Sequence, residues 1–360
     1  MCQGANKGRW WVMEQQPGPV NWAQWNPAPL DGMVRLWTWQ AFAHGAEVVS
    51  YFRWRQAPFA QEQMHAGLNR PDRSLDQGGL EAKQVFAEVR KLGLNSKQNL
   101  PLAPVESAQA AIIFDYPSIW MAQIQPQGAD FNAIEIAFRA YSAMRCLGLD
   151  VDIISSKADV SAYQLVVLPA HMREDSALAQ RLQTSGAQIV FGPRSGSKGQ
   201  ALAFPDNLPP GAFSILAGVQ VQRVASLPPG LVDTVLWTQD DSFEVTRWRE
   251  DLALSGATAV AHFSDGQPAI TRHGAVWYCA GWPAEAGWMQ LISRAAQAAD
   301  LATQPVPADV RISRKGDLAF VQNFSSSTVD FSPSTHAHCL LGARELAPQG
   351  LAIWKLTASA

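Results

Sequence analysis

The run Trp10-Trp11-Val12-Met13 is apolar without interruption, meets Glu14, and is stopped by Pro17-Gly18-Pro19. Such a run between turn residues predicts a fully buried, parallel-type strand. Glu14 then lies at its carboxyl end, where α/β barrels carry their chemistry. Trp22 follows on a loop able to fold back over that end. A flat ring beside a carboxylate suits a sugar, whose apolar face meets the ring and whose hydroxyls meet the acid. The plainer readings are a solvated loop carboxylate and a core tryptophan. From Gly32 to Gly45, Met33, Leu36, Trp37, Ala41 and Phe42 keep a helical stripe, and Gly45 suits a helix stop. Glu47 to Arg55 reads as a second strand. Leu80 to Leu92 reads as a second helix, with Leu80, Val85, Phe86, Val89 and Leu92 on one side. This β-α-β-α order is the repeating unit of a barrel. The loop after the second strand holds Glu62 and His65, spaced to share one face of a turn; a solvated pair is the alternative.

Residues 95–104 are polar and contain proline, as a linker would. The pattern then restarts. Strands are expected at Ala110–Phe114, Val151–Ile154, Leu165–Pro169 and Gln188–Gly192. Helices are expected at Ile134–Leu147, with Ile134, Ala137, Phe138, Tyr141 and Met144 inward, and at Ser176–Thr184. Short apolar strands alternating with helices give a doubly wound parallel sheet. From Val221 to Trp282 short strands recur, with Asp265-Gly266 and His273-Gly274 as turns, and Glu285–Ala299 reads as a closing helix. Val310–Arg314, Leu318–Phe324 and Leu351–Leu356 make a small antiparallel β domain.

Composition narrows the classes. Hydrophobic residues are 47% and charged residues 16%, which supports large cores. The net charge is −3 with no long basic run, so neither nucleic acid nor a membrane is an expected partner. Fourteen tryptophans fit both a carbohydrate enzyme and a large core. Cys2, Cys146, Cys279 and Cys339 are scattered, with no CxxC pair. Cys339 near His336 and His338 reads as a solvated loop, not a zinc site. No apolar run reaches membrane-span length, and the expected setting is the reducing cytoplasm.

In order along the chain, Met13-Glu14, Asn21-Trp22, Arg35-Leu36, Ala43-His44-Gly45-Ala46, Tyr51-Phe52-Arg53-Trp54-Arg55, and Glu62 with His65-Ala66-Gly67 resemble the end of the catalytic barrel of the family-42 β-galactosidases. The resemblance implies an α/β chain of three parts. These are an incomplete (β/α)8 barrel at 1–98, contributing its last two units; an amidotransferase-like trimerisation domain at 105–303; and a C-terminal β domain at 306–360. It implies that Glu14 is the nucleophile and Trp22 the aromatic wall of the galactose subsite. Phe52 would be an apolar contact, and Glu62 with His65 would bind sugar hydroxyls. It implies a β-galactoside substrate, a homotrimer through 105–303, no cofactor and no metal. Arg53 and Arg55 are assigned to structural ion pairs. Asp115 to Trp120 also matches the family, with Trp120 read as packed.

Retaining chemistry needs a second carboxylate about 5–5.5 Å from the nucleophile, and Met1 to Met13 contains no Asp or Glu. We therefore expect the C-terminal part of a longer protein, inactive alone. The alternatives are a non-catalytic trimerisation module carrying a barrel remnant, and an amidotransferase-like enzyme. The turn Gly192-Pro193-Arg194-Ser195-Gly196 offers that last reading no cysteine.

Overall fold

The fold is described from a computed structural model, for residues 1–5, 9–93, 108–199 and 201–357. The expected linker at 95–104 lies outside them. The chain forms two compact units, one essentially of residues 6–106 with 306–360, the other of 107–305.

After a one-turn helix α1 (Cys2–Ala5), the first unit opens with strand β1 (Trp11–Gln15), helix α2 (Met33–Ala43), strand β2 (Val48–Tyr51) and helix α3 (Gln77–Lys91). β1 and β2 pair in parallel, Trp11 opposite Val48. The expected burial of β1 fails: Trp11 is 52% and Met13 65% exposed. The reason is that β1 and β2 form a sheet of two strands among the described residues, whereas a parallel strand is buried only between neighbours and beneath helices. β2 also ends at Tyr51, four residues short of the expected Arg55.

The N-cap of α2 is Gly32 (φ 92°), which has no side chain with which to cap the helix. Glu81 of α3 supplies one, accepting the amides of Gly32 (2.7 Å) and Arg35 (2.8 Å). Glu88 accepts from Arg35 Nε and Trp39 Nε1. α3 thus turns its glutamates inward with Val85, while Leu80 and Phe86 are exposed, contrary to the expected stripe. Gly78 and Gly79 make this approach possible, since a Cβ there would strike the carbonyls of Pro17 and Leu68.

The C-terminal residues join this unit. Strands β14 (Val310–Lys315), β15 (Leu318–Asn323), β17 (His338–Leu341) and β19 (Leu351–Lys355) form one antiparallel sheet in the order β14-β15-β19-β17. Alternation divides it cleanly. Leu318, Phe320, Leu351 and Ile353 pack on Leu36, Trp39 and Val85. Ala319, Val321, Ala352 and Trp354 face a second cluster with Val310 and Ile312. Cys339 lies in β17, half-buried, rather than in a solvated loop.

The second unit is one mixed sheet. Strands β3 (Ala110–Ile113), β4 (Val151–Ile154), β5 (Leu165–Leu168), β6 (Gln188–Phe191) and β12 (Val276–Cys279) run parallel in the order β4-β3-β5-β6-β12. This is the doubly wound arrangement whose chain direction reverses between β3 and β5. Helices α4 (Tyr116–Ile124), α5 (Ala133–Cys146), α6 (Ser176–Thr184) and α8 (Glu285–Ala298) accompany it. The sheet continues as antiparallel strands, with β9 (Ser242–Leu254) the longest. The strands at Val219–Ser226, Asp233–Leu236 and Gly281–Pro283 fall in the stretch expected to hold short strands. Both proposed turns hold, with Gly266 at φ 86° and Gly274 at φ 59°. α5 buries Ala133, Ile136, Ala137, Ala140, Ala143 and Met144, while Ile134 and Phe138, expected inside, are exposed.

Candidate active site at the ends of two parallel strands

Glu14 is the fourth residue of β1 and is exposed at its carboxyl end. Phe52 follows β2 at the same end, its amide bonded to the Gln15 carbonyl (3.1 Å). The loops after the two strands are stitched together. Ala66 N–H donates to the Pro19 carbonyl (2.9 Å), Asn21 Nδ2 donates to the Gln61 carbonyl (3.4 Å), and a Cβ on Gly18 would lie 2.7 Å from that of Ala66. These contacts bring Glu62 and His65, some fifty residues downstream, back beside the end of β1. The His65 amide also donates to the Glu62 carbonyl (3.1 Å), so the two residues share one turn as their spacing predicted.

His65 is buried at 6% exposure, and neither ring nitrogen has a partner among the described residues. Its ring meets Phe52 edge-on, centroids 5.0 Å apart. Burial pulls its pKa down, the Arg53 guanidinium adds to this, and Glu62 and Glu14 push back. Glu62 forms an ion pair with Arg53, whose guanidinium lies 4.9 Å over the Phe52 ring. Arg53 Nε is buried and has no partner among the described residues. Arg53 Nε and the His65 ring nitrogens are thus buried polar groups without partners among the described residues, a costly arrangement by itself. A polyol, with paired donors and acceptors, complements that set. Trp22 is 70% exposed on the loop tied down by Asn21, so it is not a core anchor. Arg53 makes the ion pair expected of it; Arg55 is joined to Asn69 through backbone.

The doubly wound unit has its own reversal point, which sequence reading missed because its residues are scattered over sixty positions. Asp115 follows β3 and caps α4 through Ser118. Asp175 caps α6. Arg173 ties the two together, reaching Asp115 (3.3 Å), Asp175 (2.8 Å) and Ser156 Oγ (3.1 Å). Burial alone would raise Asp115, but His171, Arg173 and the two serines hold it below the usual carboxylate range. The crevice that usually takes a ligand is thus filled by an ion-pair clasp. The turn after β6, which leads into no helix, is also spent: Arg194 holds the left-handed position at φ 63°, and Ser195 Oγ donates to the Gly192 carbonyl (2.8 Å). Cys279 is buried, its thiol pushed up to about 12, and Cys146 is buried in α5. Neither is an activated nucleophile, so the amidotransferase reading has no support.

His171, faced by Asp115, Arg173 and Asp175, is buried and held at about 4. The unfolded chain takes that proton near 6.5. Stability from the neutral ring is full above pH 6.5 and lost as pH falls toward 4, amounting to about 3 kcal/mol. Urea unfolding at pH 7.5 and 4.5 should show His171→Leu losing less than the parent by about that amount. Equal losses would refute it.

The first unit is the end of a β/α barrel carrying a carboxylate-lined site, and the second a doubly wound domain with its ligand crevice closed. The family model described as "Beta-galactosidase" matches residues 1–92, and that described as "Beta-galactosidase trimerisation domain" matches 108–302. The chain is 44% identical over 357 residues to a "Beta-galactosidase" of Thermus thermophilus, covering 99% of this chain and 54% of that protein. It is 36% identical to "Beta-galactosidase Bga" of Halorubrum lacusprofundi. The crystal structure of a β-galactosidase from the psychrophilic Marinomonas ef1 superposes with a TM-score of 0.94 at 38% identity, over 99% of this chain and 54% of that one. The chain belongs to the family-42 glycoside hydrolases named for β-galactosidase, and spans about half the length of the curated relatives it matches.

Proposed function

We propose that this chain carries the nucleophile half of a retaining β-galactosidase. The observation that carries the proposal is that Glu14 ends β1 while the turn of Glu62 and the buried His65 follows the paired strand β2 and is bonded back to the loop after β1. Glu14 attacks the anomeric carbon and forms a covalent galactosyl-enzyme. Trp22 covers the apolar face of the sugar, Phe52 bounds it, and Glu62 and His65 bind its hydroxyls. The second carboxylate protonates the leaving oxygen and then activates water. By the family resemblance it is expected upstream of Glu14, on an earlier barrel strand. Four cysteines without a disulfide favour a reducing, cytoplasmic setting.

With a chromogenic β-galactoside, the chain alone should give no turnover. Joined in frame behind the part of the Thermus thermophilus relative that it does not match, it should turn over. Turnover by the chain alone at a relative-like rate, or an inert but folded fusion, would contradict the proposal.

A non-catalytic assembly role is the second reading, favoured by the trimerisation match and by one surface. Tyr116, Trp120 and Ile124 are spaced one helical turn apart on α4, and Ile134 and Phe138 one turn apart on α5; all five are exposed. The expected packing of Trp120 is therefore wrong within its unit, where it is 57% exposed. A cavity of about 340 Å³ opens between these helices, lined by Ile119, Phe131 and Ile134 and also by Asp130, Glu135 and Arg247. Exposed apolar residues grouped on two helices suit an interface, and a homotrimer through residues 105–303 would cover them. Light scattering should report a trimer, and Trp120→Glu should shift it to monomer with little change in melting temperature. A monomeric parent would refute this.

A further inference from the structure

Arg53 stands between the residues that the proposed site needs. Its guanidinium pairs with Glu62, stacks on the Phe52 ring at 4.9 Å, and that ring in turn meets His65 edge-on at 5.0 Å. Its side chain is 22% exposed, against 51% for Glu62. A half-exposed ion pair contributes little stability, so joining a loop to a strand end is a poor account of the whole arrangement. Arginine, unlike lysine, can stack on a ring and present a planar fork to a carboxylate at once.

We infer that Arg53 is a positioning residue, which fixes the Glu62 carboxylate and, through the shared Phe52 ring, the angle at which Glu62 and His65 meet one sugar. The inference rests on the reading of Glu62 and His65 as hydroxyl-binding groups. Arg53 also bears on the charge of His65. Burial lowers the pKa of that ring and the Arg53 cation lowers it further, against Glu62 and Glu14. The imidazole is then neutral at ordinary pH, with one nitrogen to donate and one to accept.

The test is carried out on the full chain. The His65 ring is titrated by NMR in the parent, Arg53→Met, Arg53→Lys and Glu62→Gln, and isopropyl thio-β-galactoside binding is followed in the same samples. Arg53→Met should move the His65 titration upward, and Arg53→Lys should leave it near the parent. Both Arg53→Met and Arg53→Lys should weaken galactoside binding, Arg53→Met by about tenfold. The double variant Arg53→Met/Glu62→Gln should bind no more weakly than Glu62→Gln alone, because the guanidinium acts through that carboxylate. An unchanged His65 titration in Arg53→Met, or losses that add in the double variant, would overturn the inference. If no form, parent included, binds the galactoside, the hydroxyl-binding reading fails, while the His65 titration still decides whether Arg53 governs that ring. Should Arg53→Met not fold, Arg53→Gln is read the same way.

Discussion

Glu14→Gln, placed in the chain joined in frame behind the unmatched part of the Thermus thermophilus relative, should lower kcat/KM for a chromogenic β-galactoside by about a thousandfold or more. The amide matches the carboxylate in size and keeps one acceptor oxygen, but it cannot displace a leaving group at carbon. Binding should survive, since Trp22, Phe52, Glu62 and His65 are untouched, so the loss should fall on kcat and leave KM near the parent value. Glu62→Gln should behave differently. A hydroxyl-binding acid contributes to both ground and transition states, so its loss should raise KM as well. Steady-state kinetics on the two variants separates the roles. If Glu62→Gln loses more than Glu14→Gln, the roles have been exchanged.

Glu250→Ala should destabilise the doubly wound unit by about 3–5 kcal/mol, read as a fall in the urea midpoint. Glu250 in β9 is fully buried, and burial pushes its pKa up. Its Oε1 accepts the Arg194 amide (2.8 Å) and Trp248 Nε1 (3.0 Å), and the Tyr278 hydroxyl donates to Oε2 (2.7 Å). Alanine leaves three buried donors without a partner. Glutamine keeps one oxygen for the two N–H groups and offers an amide to Tyr278, so Glu250→Gln should cost about 1 kcal/mol. Similar losses for the two variants would show that the bonds matter less than the space. The pH dependence has a definite sign. A carboxyl raised in the folded state binds its proton more tightly there than in the unfolded chain. Its contribution is therefore present at low pH and declines as pH rises from the ordinary carboxylate range through the raised value.

What could be read from the sequence follows from which faces are covered. β15 and β19 were legible because both faces are buried and alternation decides the side, Leu318 and Phe320 against Ala319 and Val321. Helix faces were legible only in part: Leu36, Met33 and Phe42 on α2 and Val85, Val89 and Leu92 on α3 pack inward as expected, and so do Ala137 and Met144 on α5, but other positions do not. On α5 the buried positions are mostly alanines, which allow close approach to the sheet and to α8, while the bulkier Ile134 and Phe138 point outward. A pattern that counts hydrophobicity without size chooses the wrong stripe. On α3 the inward groups are glutamates, buried because α2 offers them amides and an indole. The candidate site was legible in its parts, since Glu14 stands at the end of a strand and Glu62 in the loop after the next one. Its electrostatics were not, because the contacts of Arg53 with Phe52 and Glu62 and the burial of His65 depend on how Gly18 and Pro19 dock against Ala66. The Arg173 clasp was out of reach, since it requires the order of strands in the sheet.

The claim on which the account turns is that Glu14 bonds to the sugar. The completed enzyme, incubated with 2-deoxy-2-fluoro-β-galactosyl fluoride, should gain the mass of one fluorogalactosyl group and lose activity together. Tryptic digestion should place that mass on the peptide from Trp10 to Arg35, at Glu14. Label on the peptide from Gln56 to Arg73, which holds Glu62, or inactivation with no label on Glu14, would contradict it.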